Sequence, residues 1–122
     1  MVKRLSKKAL LTILSGKIKT PDSDCFIKFY SNGCPYCHEL APVIKEMEKK
    51  HGNGIYFFAF NVGDYDEIDK HLGIQGVPSI VFIKIRNNNA KVSILEDVHP
   101  PHPQLWYHPE NIETFLKEHT NE

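Results

Sequence analysis

Apolar residues recur along this chain at two spacings, and the order of those spacings outlines a fold before any motif is considered. After Ser6, a residue type that caps helices, Leu10, Leu11, Ile13 and Leu14 repeat at helical spacing as far as Gly16, which reads as a stop. Residues 20–24 read as a loop. Residues 25–30 then form a short apolar run, broken only by Lys28, with the length and β-rich composition of a buried strand. From Pro35 to about Lys50, Cys37, Leu40, Ala41, Ile44 and Met47 fall on one helical face, while Glu39, Lys45, Glu46 and Lys49 mostly fall elsewhere. His51 to Gly54 ends that helix. Residues 55–60 are a second buried-strand candidate, and Asp64 is expected to cap a short helix that Gly73 closes. Strand, helix, strand is the order of a parallel βαβ unit. Beyond Gly76-Val77-Pro78, a strand over 79–85, an Asn-rich turn over 87–89 and a strand near 91–95 read as an antiparallel hairpin. A loop rich in proline and histidine, 97–108, precedes a last helix starting near Pro109 or Glu110.

Composition narrows the class without changing this outline. A chain of 122 residues is expected to be a single domain, 1–122, able to bury roughly 60–70% of the surface its unfolded form exposes. Hydrophobic residues at 41% and charged residues at 25% are ordinary globular usage. Fifteen Lys and Arg balance fifteen Asp and Glu, so no net field exists to hold nucleic acid or an anionic membrane. The basic start, Lys3, Arg4, Lys7 and Lys8, is followed by an apolar run over 9–14 that is short, interrupted by Thr12 and lacks a small-residue cleavage pattern. The expectation is therefore a cytoplasmic or otherwise unsecreted protein without a membrane span.

Three cysteines cannot complete a disulfide framework, and two of them form Cys34-Pro35-Tyr36-Cys37. Thiol–disulfide exchange needs a thiolate, whereas an ordinary cysteine is only about 3% ionised at neutral pH. Cys34 stands where a strand gives way to a helix, with Pro35 at the first helical position, so its sulfur can meet the unpaired amides and positive end of the helix. Cys34 is accordingly the expected attacking nucleophile, exposed at the helix start. Cys37, one turn on and on the apolar face, is the expected resolving thiol. Half of a zinc site and two inert thiols are the competing readings; zinc usually needs two further ligands, and no second Cys-x-x-Cys or close His-x-x-x-His pair supplies them. No metal and no cofactor beyond a redox-active Cys34–Cys37 disulfide is expected.

The surroundings of this motif resemble the thioredoxin superfamily over most of residues 5–119. Phe26-Ile27-Lys28-Phe29-Tyr30 before Cys34-Pro35-Tyr36-Cys37 is similar to that family's strand and active-site turn. Pro42 matches the proline that bends the following helix, and Gly73 to Pro78 followed by Ser79-Ile80-Val81-Phe82 is similar to its cis-proline loop and next strand. The resemblance implies an α/β thioredoxin fold, a central mixed sheet of four to five strands flanked by helices. It also implies a cis Val77–Pro78 bond beside the nucleophile, with Val77 and Pro78 binding an extended substrate segment by main-chain pairing. Three features depart from the pattern. Gly33 stands where thioredoxins usually carry tryptophan, Lys28 where they bury an acid, and Pro35-Tyr36 is closer to glutaredoxins.

The remaining candidates carry weaker chemistry. Lys28 is expected to lay its stem in the core with the ammonium at an edge, and His38 to face solvent. Cys25 is expected to act as a small buried hydrophobe. His99, His102 and His108 fit no usual ligand spacing, and Trp106 and Tyr107 are expected to anchor the 97–108 loop to the core. Three functional classes follow. The first is a disulfide reductase acting on disulfide-containing proteins, with a reductase or glutathione as electron donor. The second is a glutathione-linked reductase, weakened because no Gly-Gly-x-Asp segment follows Pro78. The third is an accessory binding subunit built on the same fold.

Overall fold

The side chains of β2 (Ser23–Tyr30) alternate between two cores, which explains why its sequence is apolar on both faces. In the computed structural model, which describes residues 2–17 and 19–120, this strand is the centre of a five-stranded sheet. Its neighbours are β3 (Tyr56–Asn61), paired in parallel, and β4 (Ser79–Arg86), paired antiparallel. The sheet is completed by β1 (Lys3–Arg4), parallel to β3, and by β5 (Asn89–Ile94), antiparallel to β4, in the order β1-β3-β2-β4-β5.

Phe26, Ile80 and Phe82 pack on one side of the sheet against Leu40, Ile44 and Met47 of α2 (Pro35–His51) and Ile112, Phe115 and Leu116 of α4 (Pro109–Thr120). Cys25, Ile27, Phe29, Val81 and Ile83 face the other way, with Leu10 of α1 (Lys7–Ser15) and Ile68 of α3 (Ile68–Leu72). Each face of β2 is thus covered by one pair of helices, the layering expected of an α/β sheet.

Several boundaries differ from the sequence expectation for identifiable reasons. The β2 strand begins at Ser23, inside the expected loop, because Ser23 and Asp24 pair with Ile85 and Lys84 and Arg86 bonds Asp24 at 3.0 Å. A long antiparallel partner recruits polar residues that no apolar pattern marks. The two-residue β1 is also unmarked in sequence; Lys3 and Arg4 align with Phe58 and Ala59, and the Leu5 amide bonds the Ala59 carbonyl at 2.8 Å. Asp64 does not cap a helix. It ends a 3-10 turn, Val62–Asp64, that Asn61 caps, and its carboxylate takes a bidentate bond from Arg4, so the short helix starts only at Ile68, without a side-chain cap. Asn87 and Asn88 adopt left-handed φ of 51° and 67°, forming the two-residue turn typical of a twisted hairpin, and pairing resumes at Asn89. Gly16, at φ 66°, closes α1 as expected; a Cβ there would stand 3.1 Å from the Asn88 carbonyl oxygen.

Candidate active site

Strand β2 delivers the chain to the start of α2, and the turn between them holds the two cysteines. Cys34 is the N-cap of α2, in extended backbone conformation, and its sulfur accepts the Cys37 amide at 3.1 Å. This contact satisfies one of the donors that a helix start leaves unpaired and sets the sulfur at the positive end of the helix dipole. Pro35 occupies the first turn, where a missing amide hydrogen costs nothing. Cys34 and Cys37 are joined as a disulfide, with Cα atoms 5.2 Å apart.

Cys34 is less exposed than expected: it retains 7% of its surface and Cys37 2%. The physical reason is the cap itself, which folds the sulfur back over the first helical turn instead of into solvent. The turn is pinned from outside by side chains that carry no sequence signal of their own. Asn61, at the end of β3, donates to the Asn32 side chain at 3.0 Å, and the Asn32 carbonyl lies 3.1 Å from His38 Nε2. His38 therefore braces the turn from the exposed side of α2.

Lys28 is buried at 7% exposure on the β2 face that packs against α2. Its ammonium donates to the Cys37 carbonyl at 3.5 Å and lies 5.5 Å from the Tyr30 ring centre. Desolvation holds its pKa below the usual lysine value. A cation at the second cysteine of the turn replaces the acid that the resemblance would have placed there.

Val77–Pro78 is cis, as the resemblance implied, and so is His99–Pro100. Val77 remains partly exposed while Pro78 and Ser79 are buried at the start of β4. Ser79 Oγ donates to the Gly76 carbonyl, and the Tyr107 hydroxyl donates to the Pro78 carbonyl at 3.3 Å. Burial, reinforced by Asp97, raises the Tyr107 pKa well above that of a free phenol, which keeps this donor protonated. Tyr107 thus ties the 97–108 loop to the Pro78 turn, as its expected anchoring role required. A groove of about 700 Å³ runs along this turn, and Tyr36, from between the two cysteines, shares its wall with Val77, Pro78 and Trp106.

Trp106 is the residue whose place sequence reasoning understated. Its backbone takes a left-handed φ of 68°, its indole packs edge-on against Tyr36 with ring centres 5.6 Å apart, and its Nε1 donates to Asp97 at 2.9 Å. The histidines of the loop serve its shape: His102 Nδ1 accepts the Gln104 and Leu105 amides, each at 3.1 Å, and His108 Nε2 lies 3.0 Å from the Pro100 carbonyl. Cys25 is buried in β2, and burial pushes its thiol pKa up to about 11, with Asp24 adding to the effect. Among the described residues no helix is long and apolar enough to cross a membrane.

The family model for thioredoxin matches residues 8–99. Among curated proteins, the chain is 33% identical over 73 residues to a thioredoxin of Borreliella burgdorferi, covering 60% of this chain and 62% of that one. It is 35% identical over 66 residues to DnaJ homolog subfamily C member 10 of Xenopus laevis, covering 54% of this chain and 8% of that protein. The chain therefore spans less than two thirds of the length of these relatives. Solved structures of similar fold include the J-Trx1 fragment of ERdj5, with a TM-score of 0.70 at 21% identity, covering 99% of this chain and 52% of that one. The thioredoxin of Malassezia sympodialis superposes with a TM-score of 0.68 at 17% identity, covering 98% and 90%.

Proposed function

The chain belongs to the thioredoxin family, and from that premise we propose that it is a thiol–disulfide oxidoreductase that reduces protein disulfides through Cys34 and Cys37. The observation that carries the reading is the Cys34 sulfur at the start of α2, accepting the Cys37 amide and within bonding range of Cys37. That geometry favours negative charge on Cys34, the residue that must act as thiolate.

In the reduced protein, Cys34 attacks one sulfur of the substrate disulfide; a mixed disulfide forms and the other substrate sulfur leaves as thiolate and takes up a proton. Cys37, deprotonated, then attacks Cys34 Sγ, the Cys34–Cys37 disulfide forms and the second substrate thiol departs. Two electrons pass from the dithiol to the substrate, and a reductase or glutathione must return them. Val77 and Pro78 are the substrate-binding positions of this reading, with the Val77 backbone pairing with an extended segment. No metal or cofactor enters it. A cytoplasmic location belongs to the same reading, supported by three cysteines of which two are the working pair and Cys25 is buried.

The test is a trapping experiment. Cys37→Ser, which lacks the resolving thiol, should accumulate mixed disulfides through Cys34 with a disulfide-bonded protein such as insulin, and Cys34→Ser should not. No adducts with Cys37→Ser, together with no turnover by the unmodified protein, would remove the proposal. Biological activity retained when both cysteines are Ser would favour an accessory binding role instead. Turnover with thioredoxin reductase, set against turnover with glutathione and glutathione reductase, separates the two electron donors.

A further inference from the structure

The segment from Leu95 to His108, between β5 and α4, forms a strap along one side of the groove that runs past Val77 and Pro78. His102 and Trp106 close it by exchanging two backbone bonds, of 3.1 and 3.0 Å. The closure holds Trp106 in left-handed backbone, an unfavourable state for a bulky residue. The indole is then fixed at both ends, by Asp97 on the strap and by Tyr36 in the active-site turn. The result is an aromatic wall reaching from the strap to the cysteine motif.

The same wall carries two carboxylates, and His99 also lines the groove. Glu96 and Asp97 line the groove, both exposed, and Asp97 also accepts the Trp106 N–H. Among the described residues lining the groove there is no lysine or arginine, although the chain as a whole is neutral. Aromatic faces beside carboxylates match one kind of side chain: a long apolar stem ending in a cation.

We propose that this groove selects, among disulfide-bearing protein segments, those with a lysine or arginine flanking the attacked cysteine, its stem lying on Tyr36 and Trp106 and its charge meeting Glu96 and Asp97. The inference rests on the oxidoreductase reading above and adds its substrate class. It also sets the groove against glutathione disulfide, whose net charge is negative.

The experiment compares three peptides that share one disulfide and differ only beside the attacked cysteine, carrying lysine, norleucine or glutamate. Each rate of reduction by the pre-reduced protein is divided by the rate with dithiothreitol, which removes the effect of the neighbour on intrinsic disulfide reactivity. The lysine peptide should lead norleucine by about 3- to 10-fold, with glutamate slowest, and raising salt from about 50 to about 500 mM should compress the order. Glu96→Gln with Asp97→Asn should bring the lysine-to-glutamate ratio close to one, and Trp106→Phe should reduce the lysine advantage over norleucine. Equal normalised rates in the unmodified protein, or an unchanged order after both carboxylates are neutralised, overturn the inference while leaving the oxidoreductase reading in place. Failure to reduce any peptide, or insulin, overturns both.

Discussion

Replacing Lys28 with methionine isolates the cost of holding an amine inside this fold. Methionine has a similar length and an adaptable unbranched stem, so the packing of β2 against α2 is largely kept. What is lost is one long hydrogen bond, 3.5 Å to the Cys37 carbonyl, whose net contribution is at most about 1 kcal/mol, and the approach of the ammonium to the Tyr30 ring at 5.5 Å, worth about 0.5–1 kcal/mol. What is relieved is the desolvation of a cation that is 7% exposed and whose pKa is pulled below the usual lysine value. Exchanging a buried ion pair or triad for hydrophobes of like volume is often neutral or stabilises by about 1–4 kcal/mol, which sets the scale for removing a single desolvated charge. The two lost contacts place the expected gain near the lower end, about 1 kcal/mol at pH 7. The pH dependence gives the sharper check. Below its lowered folded-state pKa, Lys28 is charged in both folded and unfolded chains, and the full penalty applies. Between that pKa and 10.5 the unfolded chain binds more protons than the folded one, so the stability of the unmodified protein rises with pH and the advantage of methionine shrinks. Urea unfolding of both oxidised proteins at pH 7 and pH 10 measures the difference, with titrations common to both cancelling. A methionine variant that is less stable at pH 7, or whose gain does not change with pH, would refute the claim that Lys28 carries a desolvated charge.

Three other expectations follow from single contacts. Cys25, with its thiol pushed up to about 11, should be about 0.1% ionised at pH 8 and should resist iodoacetamide in the folded protein, reacting only on unfolding; mass mapping that finds it labelled alongside the reduced motif cysteines would contradict its burial. Tyr107→Phe removes the hydroxyl that holds the Pro78 carbonyl and should destabilise by about 1 kcal/mol, read as a lower urea midpoint; an unchanged midpoint would show that the strap is anchored by packing alone. Gly16→Ala places a Cβ at left-handed φ and 3.1 Å from the Asn88 oxygen, so a loss of about 1–2 kcal/mol is expected by the same measurement, and no loss would mean that the α1 terminus readily rearranges.

The parts of the fold legible in sequence are those that rest on local periodicity. The helical face through Cys37, Leu40, Ile44 and Met47 and the apolar runs of β2, β3 and β4 emerged where expected because burial on a regular element repeats every two or three to four residues. The Cys34–Cys37 pair and its cap were legible for the same reason, since they depend on a strand, a proline and a helix start that adjoin in the chain. What escaped depends on distant partners. Arg4 engages Asp64 across 60 positions, turning an apparent helix cap into the partner of β1. Asn32 and Asn61, 29 apart, secure the active-site turn, yet two asparagines in sequence announce nothing. Trp106 read as an anchor because its left-handed backbone comes from the His102 closure, which no residue pattern in a proline-rich loop reveals.

Gly33 and Trp106 become related once the strap is placed. The sequence lacks a tryptophan just before Cys34, where the resemblance would put one, and its only tryptophan lies far away in the 97–108 loop. The fold brings that indole against Tyr36, inside the cysteine motif, so an aromatic surface borders the active-site turn from the strap. A wall carried by a separate loop can hold charges that a residue beside Cys34 could not bring with it, and here those charges are Glu96 and Asp97. Lys28 places a cation beneath Cys37 while the strap places carboxylates on the groove. Under the proposed function the two departures would act on different steps: Lys28 on the electrostatics of the dithiol, and the strap on which disulfides reach it.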